Sequence, residues 1–215
     1  MTLSFADPPD SSSAGWDADF LHSIEDDSFD SLYPREVREI SPWHWTPAEV
    51  ARKAAALLVN KAGTRVLDVG CGPGKFCVIG AATTKGIFTG IEQRGELVGI
   101  ARNLIDRSGI PRVQILHGNI TAVDFTDYDA FYIFNPFEEN VRQAYQIDAT
   151  VELKVQLYDI YTRYVSAQLS GLPVGARVVT YAGQCDEIPE GYECQRTAFG
   201  GQLKLWVHTR RYLGS

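Results

Sequence analysis

The chain has 215 residues, of which 45% are hydrophobic and 22% charged. This composition is typical of a folded globular unit with a tail, and it excludes a largely disordered chain, a collagen-like repeat and a coiled coil. No apolar stretch approaches the ~18 residues of a membrane helix, and the N-terminus lacks the basic start and apolar run of a secretory signal. We therefore expect a cytoplasmic protein with no membrane partner.

The negative charge is concentrated at the front of the chain. The formal net charge is −7, and residues 1–40 carry ten acids and two bases, whereas the rest carries 17 acids and 18 bases. Binding to nucleic acid irrespective of sequence needs a basic excess, so the composition disfavours RNA or DNA as a partner. The spacings of Cys71, Cys77, Cys185 and Cys194 fit no zinc or redox pattern, so we expect no metal site.

Three regions follow one another along the chain. Residues 1–28 are rich in Asp, Ser and Pro without a periodic apolar face, which predicts a flexible acidic segment. Residues 29–46 are predicted to form a helical lid, and residues 47–215 the main domain. Its first helix is predicted to start with Thr46 as N-cap and Pro47 at the first helical position, and to end at Gly63.

The main domain then alternates strands with helices. Strands are predicted at 64–70, 86–92, 112–118, 129–134, 176–182, 192–199 and 202–211, and helices at 75–83, 95–109 and 149–169. This alternation predicts an α/β fold with helices on both faces of a mostly parallel sheet of seven strands. Strands 192–199 and 202–211 are predicted to close the sheet as a C-terminal antiparallel hairpin.

A glycine-rich loop, VLDVGCGPGKF (66–76), joins the first strand of the sheet to its helix. Gly70, Gly72 and Gly74 permit positive φ and a close approach of the backbone to a ligand. Ligands of open α/β sheets lie at the carboxyl ends of the strands, where Glu92 ends the second strand and can accept hydrogen bonds from ribose hydroxyls. The pattern indicates a cofactor that contains a nucleoside.

The spacing of the glycines distinguishes between two such cofactors. A dinucleotide fingerprint is GxGxxG, whereas this loop is GxGxG and has Lys75 where the third glycine would stand. The carboxylate of Asp68 would repel a pyrophosphate but attract an amino group or a sulfonium. The loop therefore favours S-adenosylmethionine over a nicotinamide dinucleotide.

VLDVGCGPG, GIEQR and HGNITAVDF, at these spacings, resemble the class I methyltransferases that use S-adenosylmethionine, which have a Rossmann-like fold; the resemblance covers roughly residues 45–211. It implies that Asp68 and the backbone of residues 70–74 hold the methionine part, that Glu92 holds the ribose, and that the adenine lies beside Asn119. The product would be S-adenosylhomocysteine. The cofactor site implied in this way consists of Asp68, Gly70, Cys71, Gly72, Gly74, Glu92, Gln93, Asn119, Ile120 and Asn135.

Asn135, Pro136 and Phe137 follow the fourth predicted strand. They are similar to the (Asn/Asp)-Pro-Pro-(Tyr/Phe) motif of methyltransferases that act on planar or amide nitrogens, with one proline instead of two. The resemblance implies that Asn135 and Pro136 accept hydrogen bonds from the target N–H and that the Phe137 ring packs on the substrate. We take these three residues as catalytic, and Glu138 as a substrate-binding residue that attracts a cationic amine.

The aromatic segment SPWHWTP (41–47) precedes the main domain and permits two interpretations. Trp43, His44 and Trp45 either line the acceptor pocket, with His44 as a candidate base, or form a hydrophobic staple before the helix. In the first interpretation Tyr33 belongs to the same substrate-binding lid.

The reaction expected from these features is methyl transfer to an amine or amide nitrogen of a protein or a small molecule. Two alternatives remain at this stage. One is an O- or C-methyltransferase of metabolite or natural-product type, and the other is a non-catalytic protein that binds S-adenosylmethionine or a nucleotide.

Overall fold

The computed structural model describes residues 18–210. The helices are α1 (Ala18–Ser23), α2 (Asp26–Asp30), α3 (Arg35–His44), α4 (Ala48–Leu58), α5 (Lys75–Thr83), α6 (Gly95–Ser108) and α7 (Val155–Ser170). The strands are β1 (Arg65–Val69), β2 (Ile87–Glu92), β3 (Val113–His117), β4 (Ala130–Ile133), β5 (Arg177–Tyr181), β6 (Tyr192–Ala198) and β7 (Leu203–His208). Within this range, no helix combines the length and the apolar composition that crossing a membrane requires.

The strands of the described residues form one sheet of seven in the order β3-β2-β1-β4-β5-β7-β6. The first five strands in this order pair in parallel, and β7 runs antiparallel to both β5 and β6. The predicted α/β fold with its antiparallel C-terminal hairpin is confirmed. The strand order reverses between β1 and β4, and the carboxyl ends of strands at such a point form the ligand crevice of open α/β sheets.

The core lies on both faces of the sheet because neighbouring strand residues point to opposite sides. Val66, Tyr132 and Val179 belong to an apolar cluster that also includes residues of α4, α5 and α6. Their neighbours Leu67, Phe131 and Val178 belong to a second cluster with residues of α7. The central strands are therefore rich in buried apolar residues, as the uniformly buried β4 illustrates, and Asp68 of β1 is a buried exception.

The N-terminal segment, residues 18–46, corrects one prediction. Residues 1–17 of the predicted flexible region 1–28 lie outside the described residues, but residues 18–28 contain α1 and the start of α2. Leu21 and Phe29 are completely buried, and both belong to the same cluster as the helices α4 and α5. No periodic apolar pattern is visible in the sequence there, because each of these short helices contributes only one or two apolar residues to the core.

Three element boundaries also differ from the prediction. The side chain of Thr46 does not cap α4, since its hydroxyl is hydrogen-bonded to the Tyr132 hydroxyl (2.9 Å). The Asp26 carboxylate accepts the hydrogen bond of the Ala48 N–H instead (2.7 Å). Helix α4 ends at Leu58 rather than Gly63, and α7 begins at Val155 rather than at residue 149.

A buried ion cluster attaches the N-terminal segment to the main domain. The Lys75 ammonium, at the start of α5, lies 2.6 Å from Asp26 and 2.7 Å from Asp30, and its side chain is only 3% exposed. Ser41 of α3 donates a hydrogen bond to the second oxygen of Asp30. Lys75 thus joins α2 to α5, the helix that follows the glycine loop. Asp30 extends this link to α3, because it also accepts the hydrogen bond from Ser41.

We expect Lys75→Met to destabilise the protein, because it leaves the nearly buried Asp30 carboxylate without its cation. Removing one partner of a buried pair costs about 3 kcal/mol or more in the free energy of unfolding, which urea denaturation measures. The exposed pair of Arg35 and Glu39 provides the control, and Arg35→Met should leave the stability of the wild type unchanged. Equal stability of the two variants would show that the cluster does not hold the segment.

Candidate functional site

A cavity of about 140 Å³ opens at the carboxyl ends of the parallel strands, at the point where the strand order reverses. Residues of the glycine loop, of the ends of β2, β3 and β4, of α3 and of α7 surround it. Its lining is Trp43, His44, Trp45, Gly70, Ile91, Glu92, Gln93, Arg94, Gly118, Asn119, Ile120, Phe134, Asn135, Pro136, Phe137, Glu138, Glu139, Arg142, Tyr145, Ile147 and Tyr161.

A smaller cavity adjoins the first and shares His44, Trp45, Gly70 and Phe134 with it. Asp68 and Cys71 line only the smaller cavity, whereas Glu92 and Asn119 line only the larger one. Together the two form an elongated site that begins at Asp68 and continues past Gly70 and Glu92 to Asn119. This order is the one expected for a ligand with a cationic group at one end and a nucleoside at the other.

The glycine loop, residues 70–74, needs glycine where other segments pack on it. Gly70 and Gly72 have φ of +74° and +53°. A Cβ at Gly70 would lie 2.8 Å from the Cβ of Pro136, and one at Gly72 would lie 2.5 Å from the ring of Trp45. Any side chain at these positions would push away the aromatic segment or the loop after β4.

The carboxylate of Glu92 is held by backbone donors at the end of β2. One oxygen accepts a hydrogen bond from the Gly72 N–H (3.1 Å) and the other from the Arg94 N–H (2.8 Å). Burial raises the pKa of Glu92, while these hydrogen bonds and the charge of Arg94 act in the opposite direction. Each carboxylate oxygen has a further lone pair, so Glu92 can still accept hydrogen bonds from the two hydroxyls of a ribose.

Asp68 lies within β1 and is only 4% exposed. Burial raises its pKa to about 8, the charge of Glu92 adds to this effect, and a hydrogen bond from the Cys77 thiol opposes it. The nearest lysine in the smaller cavity, Lys75, is engaged by Asp26 and Asp30. Asp68 is therefore mostly protonated at pH 7 and is set to pair with a cation that enters the cavity.

The other predicted cofactor residues follow β2 and β3. Asn119 donates a hydrogen bond to the Tyr161 hydroxyl (2.8 Å) and accepts one from the Thr121 N–H (3.0 Å), so that its side chain shapes the loop before a short 3₁₀ helix. Ile120 and Gln93 line the larger cavity beside it. The roles of Asn119 and Ile120 at the adenine, and of Gln93 in cofactor binding, remain predictions.

The predicted catalytic residues form a tight turn after β4. Asn135 has a φ of +43°, and a Cβ at Gly183 would overlap its amide oxygen, so the side chain lies against the loop that follows β5. Among residues 18–210, no hydrogen bond to the Asn135 side chain is found. Phe137 is buried, with its ring 5.3 Å from the ring of Tyr161.

The predicted substrate residues separate into two groups. Trp43, His44 and Trp45 line the larger cavity, although Trp43 and His44 belong to the last turn of α3 rather than to a linker. Burial, together with the charge of Arg94, lowers the pKa of His44. Tyr33 does not reach either cavity, because its buried hydroxyl donates to the carbonyl of Pro73 in the glycine loop (3.2 Å).

Glu138 also lines the larger cavity, but its carboxylate is paired with Arg142 at 2.7 Å. Our sequence analysis missed Arg94 and Tyr161, which line the same cavity. Arg94 is the second residue after the end of β2 and could have been found from that position. Tyr161 gave no signal, because α7 covers the sheet face with ordinary apolar spacing. Among the described residues, no group of His, Cys, Asp and Glu is arranged to hold a metal ion.

Residues 60–155 match the family model described as a methyltransferase domain. No curated protein matches the chain. Similar solved structures include an RNA methyltransferase from Salinibacter ruber in complex with S-adenosylhomocysteine, with a TM-score of 0.55 and 19% identity over 79% of this chain and 97% of that one. TrmN from Thermus thermophilus has a TM-score of 0.56 and 18% identity, over 81% of this chain and 52% of its own.

A further similar structure is a variant of MtNAS in complex with S-adenosylmethionine, with a TM-score of 0.53 and 16% identity over 88% of this chain and 68% of that one. At these identities the likeness concerns the fold. The family match covers the glycine loop, Glu92, Asn119 and Asn135, which are the residues that line the elongated site.

We expect Asp68→Asn to change how stability depends on pH. Between the pKa of an unfolded aspartate, near 4, and the folded value of about 8, the folded protein keeps a proton that the unfolded chain has lost. The wild type therefore loses stability as the pH rises through this range, and the variant lacks this loss. We therefore compare the two melting temperatures at each pH. The difference, variant minus wild type, should increase by about 5 °C or more from pH 5 to pH 8.

Thermal unfolding of both proteins at pH 5, 6, 7 and 8 measures this difference. The exposed Asp106→Asn serves as the control and should follow the wild type at every pH. A constant offset between Asp68→Asn and the wild type would contradict the protonated state of Asp68.

Proposed function

We propose that this chain is a methyltransferase that uses S-adenosylmethionine and methylates an amine or amide nitrogen of a small molecule or a protein. One observation carries the choice of nitrogen. The Asn135 side chain has no hydrogen-bond partner among residues 18–210, and it lies at the cavity that Glu92 and Gly70 also line. An unengaged amide oxygen at this point is suited to accept a hydrogen bond from a target N–H.

S-adenosylmethionine supplies an activated methyl group, so that the acceptor nitrogen forms the new carbon–nitrogen bond while the carbon–sulfur bond breaks and S-adenosylhomocysteine leaves. The residues of the chain contribute orientation and exclusion of water, which can account for about 7–11 kcal/mol of a barrier. Glu92 fixes the ribose and Asp68 the cationic end. Asn135 directs the nitrogen lone pair by holding the N–H, and the rings of Phe137 and Tyr161 cover one side of the cavity.

A nitrogen acceptor suits this arrangement better than an oxygen acceptor. A primary amine or amide carries two hydrogens, so it can donate one to Asn135 and still present its lone pair to the methyl group. A hydroxyl has a single hydrogen, which a base must remove. The candidate base at the cavity is His44, and its lowered pKa makes it a weaker base for removing a hydroxyl proton.

The acceptor that we propose is not a nucleic acid, although one similar structure is an RNA methyltransferase. The chain has a net charge of −7. The two arginines that line the larger cavity are paired, Arg94 with Glu139 and Asp148, and Arg142 with Glu138. Phosphates would therefore find no unpaired arginine at the entrance.

Glu92→Gln tests the cofactor assignment. The substitution keeps the size of the side chain but replaces one oxygen by a group that cannot accept a hydrogen bond. Loss of charged hydrogen bonds to the ribose should weaken the binding of S-adenosylhomocysteine roughly tenfold or more, measured by calorimetry. NADH should bind to neither protein. Unchanged affinity of the variant, or binding of NADH in place of S-adenosylhomocysteine, would refute the assignment.

Asn135→Gly tests the catalytic assignment, because glycine adopts a φ of +43° without strain and only the amide is lost. Turnover should fall by roughly 100-fold or more, while the affinity for S-adenosylhomocysteine stays close to that of the wild type. The assay uses S-adenosylmethionine with a tritiated methyl group on small-molecule, protein and RNA fractions of a cell lysate.

The exposed Asn103→Gly, on α6, is the matched control and should keep full turnover. Tritium that the wild type incorporates and Asn135→Gly does not is expected in the small-molecule or the protein fraction. Label in the RNA fraction alone, or full turnover of Asn135→Gly, would overturn the proposed acceptor class or the role of Asn135.

A further inference from the structure

Arg94 is a buried cation next to the ribose-binding position, and none of the roles described above uses it. It is the second residue after β2 and is only 4% exposed. Its backbone N–H donates to one oxygen of Glu92 (2.8 Å), while its side chain lines the larger cavity. One residue therefore contacts the cofactor-binding carboxylate through its backbone and leaves its guanidinium for other partners.

The guanidinium binds both ends of the loop 138–148, which follows the Asn135 turn. Its terminal nitrogen lies 2.7 Å from Glu139, and its Nε lies 3.1 Å from Asp148. Glu139 also accepts a hydrogen bond from the Ile147 N–H (2.8 Å), which draws the two ends of the loop together. Between these ends, the loop contributes Arg142 and Tyr145 to the cavity wall.

This arrangement depends on the guanidinium because the two carboxylates are largely buried. The side chains of Glu139 and Asp148 are 13% and 14% exposed. Burial raises the pKa of Glu139 despite the opposing charge of Arg94. Burial would also raise the pKa of Asp148, but the hydrogen bonds from Thr150 and the charge of Arg94 outweigh it and lower this pKa. Without the arginine, two like charges would meet without a cation.

We propose that Arg94 is a positioning residue, which couples cofactor binding at Glu92 to the placement of the loop 138–148 as the acceptor-side wall of the cavity. The inference rests on the proposed function, because it takes Glu92 as the ribose ligand. When ribose hydroxyls bind Glu92, the turn from Glu92 to Arg94 loses freedom, and the guanidinium then needs less ordering to hold Glu139 and Asp148. The acceptor wall is thus completed when the cofactor is present.

Hydrogen exchange of backbone amides, followed by mass spectrometry on the full chain with and without S-adenosylhomocysteine, tests this coupling. In the wild type, S-adenosylhomocysteine should slow exchange both in the glycine loop and, about fivefold or more, in the loop 138–148. In Arg94→Gln the glycine loop should still be protected, but the protection of the loop 138–148 should be lost. Protection of the glycine loop reports binding, so each protein contains its own internal reference.

Two more variants and one control sharpen the result. Arg94→Lys keeps the charge but not the planar group that reaches both carboxylates, so it should restore only part of the protection. Asp148→Asn perturbs the fold less than a substitution of the arginine. It should weaken the protection from hydrogen exchange in the loop 138–148. Arg65→Gln breaks an arginine–aspartate pair at the start of β1, at the opposite end of the strand from the cavity, and should behave as the wild type.

The outcomes separate the two proposals. If S-adenosylhomocysteine protects the loop 138–148 in Arg94→Gln as strongly as in the wild type, Arg94 does not couple the two sites, while the proposed function stands. If the glycine loop of the wild type is not protected, the cofactor assignment fails and the coupling fails with it. Once an acceptor is identified, Arg94→Gln should raise the KM for the acceptor more than the KM for S-adenosylmethionine, because coupling between two sites acts in both directions.

Discussion

Two glycines that follow β1 have no side chain, and this lets three distant segments of the chain pack together: the glycine loop, the aromatic segment and the turn after β4. Gly70 leaves the space that Pro136 of the β4 turn occupies, and Gly72 leaves the space that the Trp45 ring occupies. Both glycines have positive φ, which turns the backbone N–H of Gly72 towards Glu92. Without these conformations neither the aromatic segment nor the Asn135 turn could pack on the loop, and the elongated site between them would not form.

Burial raises the pKa of both carboxylates of the candidate site, but the two differ in their hydrogen-bond partners. Glu92 accepts two backbone hydrogen bonds and lies near Arg94, so its charged form is supported although it is buried. Asp68 receives only a weak hydrogen bond from a thiol, and its pKa of about 8 keeps it mostly protonated at pH 7. The second environment costs stability in the free protein. It favours a ligand that brings its own positive charge, as proteins commonly trade stability for function at a site.

The sequence predicted the parts of this site that depend on local backbone rules. The glycine spacing, the acid at the end of β2 and the Asn-Pro-Phe turn each follow a strand, and the sheet topology brings the ends of those strands together. The sequence did not predict contacts that join distant segments. Asp148 reaches Arg94 across 54 residues, and Asp26 reaches Lys75 across 49. Neither pair has a signature, because any surface carboxylate in a loop looks the same in the sequence.

The same limit explains the errors in the N-terminal segment. Tyr33 was expected in the lid over the substrate because it is aromatic and precedes SPWHWTP, but its hydroxyl reaches the carbonyl of Pro73 and its side chain is 5% exposed. Thr46 was expected to cap a helix because its sequence context fits a cap, yet Tyr132 offers it a buried hydroxyl partner. In both cases a tertiary partner, which only the fold supplies, replaced the local one.

Lys75 connects these observations. A dinucleotide fingerprint has glycine at this position because helix and strand must pack closely there. In this chain Lys75 lines the smaller cavity and its ammonium is paired with Asp26 and Asp30, which attaches the segment that carries His44 and Trp45. The residue that departs from the dinucleotide pattern is therefore also the one that holds the aromatic wall on the glycine loop. The glycine loop and the aromatic segment that packs on it are consequently joined through this position of the chain.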